Sequence, residues 1–185
     1  LPICRVVLGA QPLREDVTIS AGALSLSATV SDAPIPPERV SFSIYVAVGT
    51  DPEGRLIVDN IKPNVVVRLP VGVYRIVSRY GDTNAIASSD IKVEPGKLID
   101  MTLRHRAATV TLKLVNKLGG DAYAGTNFSV LTPGGDTIRD LVGAFPSLIL
   151  AEGDYILIAR NGGRVFTEEF KVRSGFDQDI EILDR

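Results

Sequence analysis

The feature that most constrains this chain is that it repeats itself. Leu69-Pro70-Val71-Gly72-Val73-Tyr74, followed by Arg75-Ile76-Val77-Ser78-Arg79, recurs as Leu150-Ala151-Glu152-Gly153-Asp154-Tyr155, followed by Ile156-Leu157-Ile158-Ala159-Arg160. Leu, Gly, Tyr and Arg coincide at a spacing of 81 residues (155 − 74). Downstream, Ile91-Lys92-Val93 and Asp100-Met101-Thr102-Leu103 match Phe170-Lys171-Val172 and Asp179-Ile180-Glu181-Ile182 at 79 (179 − 100). Upstream, Leu24-Ser25-Leu26-Ser27-Ala28 and Phe42-Ser43-Ile44 match Val110-Thr111-Leu112-Lys113-Leu114 and Phe128-Ser129-Val130 at 86 (128 − 42). The blocks keep their order and slip only at polar turns such as Gly81-Asp82-Thr83-Asn84, where insertions are tolerated. A chain built this way folds as one unit twice over.

Each block reads as strand. Leu24, Leu26, Ala28 and Val30 alternate with Ser25, Ser27 and Thr29, and Val110, Leu112 and Leu114 alternate with Thr111 and Lys113. A period of two sends one set of side chains to a core and the other to water. Turn residues punctuate the strands at Asp51-Pro52-Glu53-Gly54, Glu94-Pro95-Gly96, Pro133-Gly134-Gly135-Asp136 and Asn161-Gly162-Gly163. Residues 137–142 are the one stretch where a single helical turn is conceivable. Short strands at regular spacing predict an all-β fold of two tandem Ig-like or prealbumin-like Greek-key sandwiches of about seven strands each. The expected division is 1–22, an extension or docked strand; 23–105, the first sandwich; and 106–185, the second.

The Leu-x-x-Gly-x-Tyr unit is expected to turn the backbone into a strand at Gly72 and Gly153, with φ > 0 there. Tyr74 and Tyr155 are expected to pack their rings on the core and bond their hydroxyls to loop backbone, as a tyrosine corner does. The segment from Leu69 to Leu103, with Leu-Pro-x-Gly-x-Tyr, two strands, Pro-Gly and a last strand, resembles bacterial carboxypeptidase-regulatory-like or prealbumin-like (transthyretin-like) modules. The second copy repeats it, with Ala151-Glu152 where the family usually has prolines. The resemblance implies a non-catalytic module of an exported or cell-surface protein.

The composition narrows the chemistry. With 20 Lys and Arg against 22 Asp and Glu, the net charge is −2. Nucleic-acid binding draws on clustered cations, and the only dense basic spot is Arg104-His105-Arg106, read as a solvated linker between the copies. One cysteine, Cys4, excludes an intrachain disulfide; it is either a free thiol or, following the bulky Ile3, a poor lipidation site. His105 is the only histidine, so neither a structural zinc site nor a Ser-His-Asp triad is expected. The hydrolase branch of the prealbumin fold uses several histidines and a Tyr-Arg-Gly-Ser-like tail, whereas this chain ends Ile182-Leu183-Asp184-Arg185. Gly134-Gly135 and Gly162-Gly163 read as hairpin turns, not phosphate loops. Asp177, Asp179 and Glu181 alternate, and read either as a Ca²⁺ site completed by loop oxygens or as a charged strand face that discourages edge pairing. Lys113 falls on the polar face with no Asn in the last strand, which excludes a Lys–Asn isopeptide bond.

The expectation is therefore a protein without catalytic, cofactor or metal residues. It is read as a binding module of the bacterial envelope for a protein or carbohydrate ligand, with a passive spacer or a regulatory appendage of an enzyme as alternatives. The chain begins at Leu1 rather than Met, as after removal of an export signal, and no apolar run reaches the ~18 residues that span a bilayer. The long segments Ser31–Arg39 and Ala47–Lys62, both read as loops, differ from their partners in the second copy and lean toward binding. The six residues Arg104–Thr109, without Gly or Pro, predict a rod with a preferred inter-repeat angle and a small, polar contact.

Overall fold

The computed structural model describes residues 20–48 and 51–185; the expectations placed on Cys4 and on a docked N-terminal strand lie outside them. The first copy runs β1 (Ala21–Val30), β2 (Ala33–Pro34), a 3-10 turn (Pro37–Arg39), β3 (Val40–Val48), β4 (Asp51–Ile61), β5 (Val66–Pro70), β6 (Gly72–Tyr80), β7 (Ile86–Val93) and β8 (Leu98–His105). The second runs β9 (Ala107–Val115), β10 (Thr126–Leu131), β11 (Thr137–Gly143), β12 (Ser147–Ala151), β13 (Gly153–Asn161), β14 (Arg164–Val172) and β15 (Gln178–Leu183). In the first copy β1 pairs antiparallel with β2 and β5 and parallel with β8, and the facing sheet is ordered β4-β3-β6-β7. The second copy repeats this as β12-β9-β15 and β11-β10-β13-β14. The register repeats as well. Leu26 lies opposite Met101 across the parallel pair, and their counterparts Leu112 and Ile180 lie opposite each other. The fold is all-β, two sandwiches in tandem.

The alternation seen in the sequence is what fills the cores. Leu24, Leu26, Phe42, Ile44 and Ile76 are fully buried in the first copy, and Val110, Leu112, Leu114, Val130 and Leu157 in the second. Each such side chain contributes about 1.5–3 kcal/mol of hydrophobic free energy. In β1 and β9 the residues between them, Ser25, Ser27 and Thr111, face out; Ser27 bonds Thr102, and Thr111 bonds Ser147.

Several expectations need correction. Residues 137–142 lie in strand β11, because this stretch pairs with β10 from Thr126↔Gly143 to Leu131↔Thr137. The segment Ala47–Lys62 is largely strand β4, whose pairing with β3 is broken by repeated register shifts. Gly72 and Gly153 are absent from the glycines at positive φ. A Cβ at Gly72 would sit 3.5 Å from the Tyr74 ring and hydroxyl, and one at Gly153 would sit 3.7 Å from those of Tyr155, both ordinary contacts. Both tyrosines are 5% exposed, and their hydroxyls donate to the carbonyls of Pro70 (2.8 Å) and Ala151 (2.7 Å). The corner is real, although the positive φ expected of its glycine is not there.

Candidate functional site: the joint between the sandwiches

The segment expected to be a solvated linker is mostly strand. β8 ends at His105 and β9 begins at Ala107, leaving Arg106 as the connecting residue. Alternation continues straight through it: Leu103, His105 and Ala107 are buried, while Arg104 and Arg106 are exposed. His105 is 1% exposed. Its Nε2 is 2.7 Å from the hydroxyl of the fully buried Ser78, and Tyr80 meets its ring edge-on at 5.8 Å. Burial disfavours the imidazolium and pushes the His105 pKa down. The arginines pair with carboxylates, Arg104 with Asp32 and Arg106 with Glu152, both at 2.7 Å.

Across the joint, the β6–β7 hairpin of the first copy grips the β12–β13 corner of the second. The Asn84 side chain donates from Nδ2 to the Tyr155 hydroxyl at 2.9 Å and accepts at Oδ1 from the Ala151 N–H at 3.0 Å. Tyr155 in turn donates to the Ala151 carbonyl, so each of these polar groups has a partner. Burial raises the Tyr155 pKa and the bond from Asn84 opposes it, so the hydroxyl stays protonated at neutral pH. The Thr83 hydroxyl donates to the Ile149 carbonyl, and Asp82 pairs with Arg139 at 2.7 Å.

The sequence led to the expectation of a small, polar contact, but the contact is not purely polar. Ile149 of β12 and Ala107 of β9 belong to the core of the first sandwich, and Ile149 packs at the backbone of Gly81. Gly81 has φ +74°, a conformation that glycine adopts without cost, and it sets the hairpin that carries Thr83 and Asn84. The apolar share was invisible in the sequence because Ile149 reads like any core residue of the second copy. Asn84 was missed because it falls where the two copies stop matching. That mismatch was itself the signal: the hairpin tip is longer in the first copy, and the extra residues bind the second.

The other residues singled out lie elsewhere. The Asp177 carboxylate accepts from Thr109 N (2.7 Å), Asp179 pairs with Lys113 (2.5 Å), and Glu181 accepts from Gly119 N (2.8 Å). Each carboxylate has a donor of the chain as partner. Among the described residues no group of three or more His, Cys, Asp and Glu side chains could hold a metal ion, and no helix is long and apolar enough to cross a membrane. A further pair recurs in both copies: Arg79 donates to Ser43 (2.9 Å) and Arg160 to Ser129 (3.0 Å). In the first copy Ser43 also donates to Asp59 at 2.5 Å, which lowers the Asp59 pKa. This polar link between neighbouring strands explains why Ser and Arg coincide in the aligned blocks.

No curated protein sequence matches the chain. Among solved structures it is similar to the Bacillus anthracis TIE protein, at 14% identity over 89% of this chain and 34% of that one (TM-score 0.36). It is similar to the streptococcal ancillary pilin, at 14% identity over 91% and 63% (TM-score 0.41). It is also similar to the shaft pilin SpaA from Lactobacillus rhamnosus GG, at 10% identity over 89% and 97% (TM-score 0.41). The chain thus spans about a third of the first of these proteins and under two thirds of the second. Residues 109–184, most of the second copy, match the family described as the Rhizobiales growth-associated tandem repeat domain.

Proposed function

We propose that this chain is a non-catalytic, extracytoplasmic tandem-sandwich module of the bacterial envelope that presents binding surfaces at a fixed angle. The joint carries this reading. Asn84, Thr83 and Asp82 hydrogen-bond or ion-pair across it, and Ile149 shares the first core. A chain needing two independent domains gains nothing from such a fastening, whereas one that must hold two surfaces in register does. The tandem-repeat family matched by the second copy and the resemblance to carboxypeptidase-regulatory-like modules support the same role. Small-angle scattering tests it: one conformation should fit the profile, and a wide ensemble of inter-repeat angles would overturn it. Fractionation of cells producing the full-length gene product tests the location; recovery with the cytosol would refute it.

The same joint favours a second reading, a passive spacer. Exchanging the chain within its full-length protein for an unrelated pair of sandwiches of equal length separates the two. Retained function means spacer, and lost function means that these surfaces bind.

A further inference from the structure

The sheets β4-β3-β6-β7 and β11-β10-β13-β14 end in four edge strands, and three of them are protected against pairing with another chain. β4 and β11 are distorted by register shifts against their neighbours. β14 carries Arg164, Glu168, Glu169 and Lys171 along nine residues. Bulges and charges are what keep exposed edges from adding strands. Strand β7 has neither defence over its first half. It pairs with β6 in unbroken register from Arg79↔Ile86 to Gly72↔Val93, and Ile86-Ala87-Ser88-Ser89 is uncharged. Asp90 and Lys92 follow, and Asp90 is held by Arg75 of β6 at 2.8 Å.

We propose that β7 is the edge through which two copies of this chain pair, antiparallel and two-fold symmetric, with Ser89 opposite Ser89 of the second copy. The register follows from what a two-fold axis at Ser89 brings together. Ala87 meets Ile91 of the second copy, and both already pack on the first core, so the apolar layer continues across the axis. Ser88 meets Asp90 of the second copy, as hydroxyl donor to carboxylate. That carboxylate also enters beside the open groove lined by Ile86, Ala87, Ser88, Arg104, Arg106 and Glu152, whose arginines pair with Asp32 and Glu152 yet keep side-chain exposures of 71% and 78%. Symmetry makes each favourable contact twice. The corresponding strand of the second sandwich shows the opposite design. Glu168 stands where Ser89 does, 79 residues on (168 − 89), and would face its own copy. Like charges directly opposite across a strand pair are destabilising.

Sedimentation velocity of the full chain over a concentration series tests the proposal, with Ser89→Glu bringing the guard of β14 to β7. Ser89 is exposed, so the variant should keep the wild-type circular dichroism and melting temperature. The wild type should pass from monomer to dimer, and Ser89→Glu should weaken association on the order of tenfold. Ser89→Cys in a Cys4→Ser background should cross-link as a dimer on mild oxidation, which reads the register without depending on the Glu variant. A wild-type monomer throughout the series would overturn the proposal. So would a dimer that Ser89→Glu leaves unchanged.

Discussion

The Asn84 amide reaches across the joint to the Tyr155 hydroxyl at 2.9 Å, joining the hairpin tip of one sandwich to the tyrosine corner of the other. The first copy cannot receive such a grip in the same way. Tyr74 makes the corner bond to Pro70, but proline has no N–H to offer where Ala151 donates to Asn84. The short Asn161-Gly162-Gly163-Arg164 hairpin of the second copy has no counterpart of Asn84. The clasp therefore belongs to this one joint and not to the repeat as such.

Asn84→Ala removes both bonds and leaves the Ala151 N–H without its acceptor. A lost hydrogen bond with an unsatisfied partner costs about 1–3 kcal/mol. The expected outcome is a scattering profile broadened toward several inter-repeat angles, with both sandwiches still folded. An unchanged profile would show that Ile149, Thr83 and the Asp82–Arg139 pair hold the joint without Asn84.

Gly72→Ala and Gly72→Val should differ sharply. The alanine Cβ fits at 3.5 Å from the Tyr74 ring, an ordinary contact, and the backbone there needs no positive φ. Valine adds two methyl groups toward a ring that is held by its bond to Pro70. Thermal melts should place Gly72→Ala near the wild type and Gly72→Val lower by roughly 1–3 kcal/mol of overpacking. A large loss in the alanine variant would show that the position has less room than the 3.5 Å contact implies.

The architecture was legible where period and repetition speak together. Leu24, Leu26 and Ala28 against Leu112 and Leu114 fixed strand, face and copy number at once. The Leu-x-x-Gly-x-Tyr unit announced its corner, although the left-handed turn read into its glycine is not there. The joint was not legible. Arg104-His105-Arg106 looks like a charged linker until burial alternates through it, and local sequence does not say that Ser78 waits opposite His105. Ile149 likewise crosses from one core to the other with no mark in its own strand.

His105 predicts a pH dependence. Its folded pKa lies below the ordinary value of about 6.5 because burial disfavours the cation. The unfolded chain then binds the proton more readily, so stability is full above about pH 6.5 and falls as the pH drops below it. Carboxylates whose pKa is lowered, such as Asp59 and Asp90, add their own loss only below about pH 4. Denaturant titrations between pH 5 and 7 should show this slope in the wild type and a flatter one in His105→Leu. Equal slopes in the two proteins would place the titrating group elsewhere.

Ile149→Ala addresses whether the sandwiches unfold as one. The side chain is 7% exposed, rises from a strand of the second sandwich and packs in the first core. Truncating it removes buried surface from both sides of the joint, at about 2–5 kcal/mol. Unlike the loss of a core residue such as Leu112, which weakens one sandwich, this loss falls on the coupling between them. The wild type should therefore melt in a single cooperative transition and Ile149→Ala in two, while Leu112→Ala lowers the second sandwich and draws the first down with it through the intact joint. Two separate transitions already present in the wild type would mean that the shared core does not couple the copies.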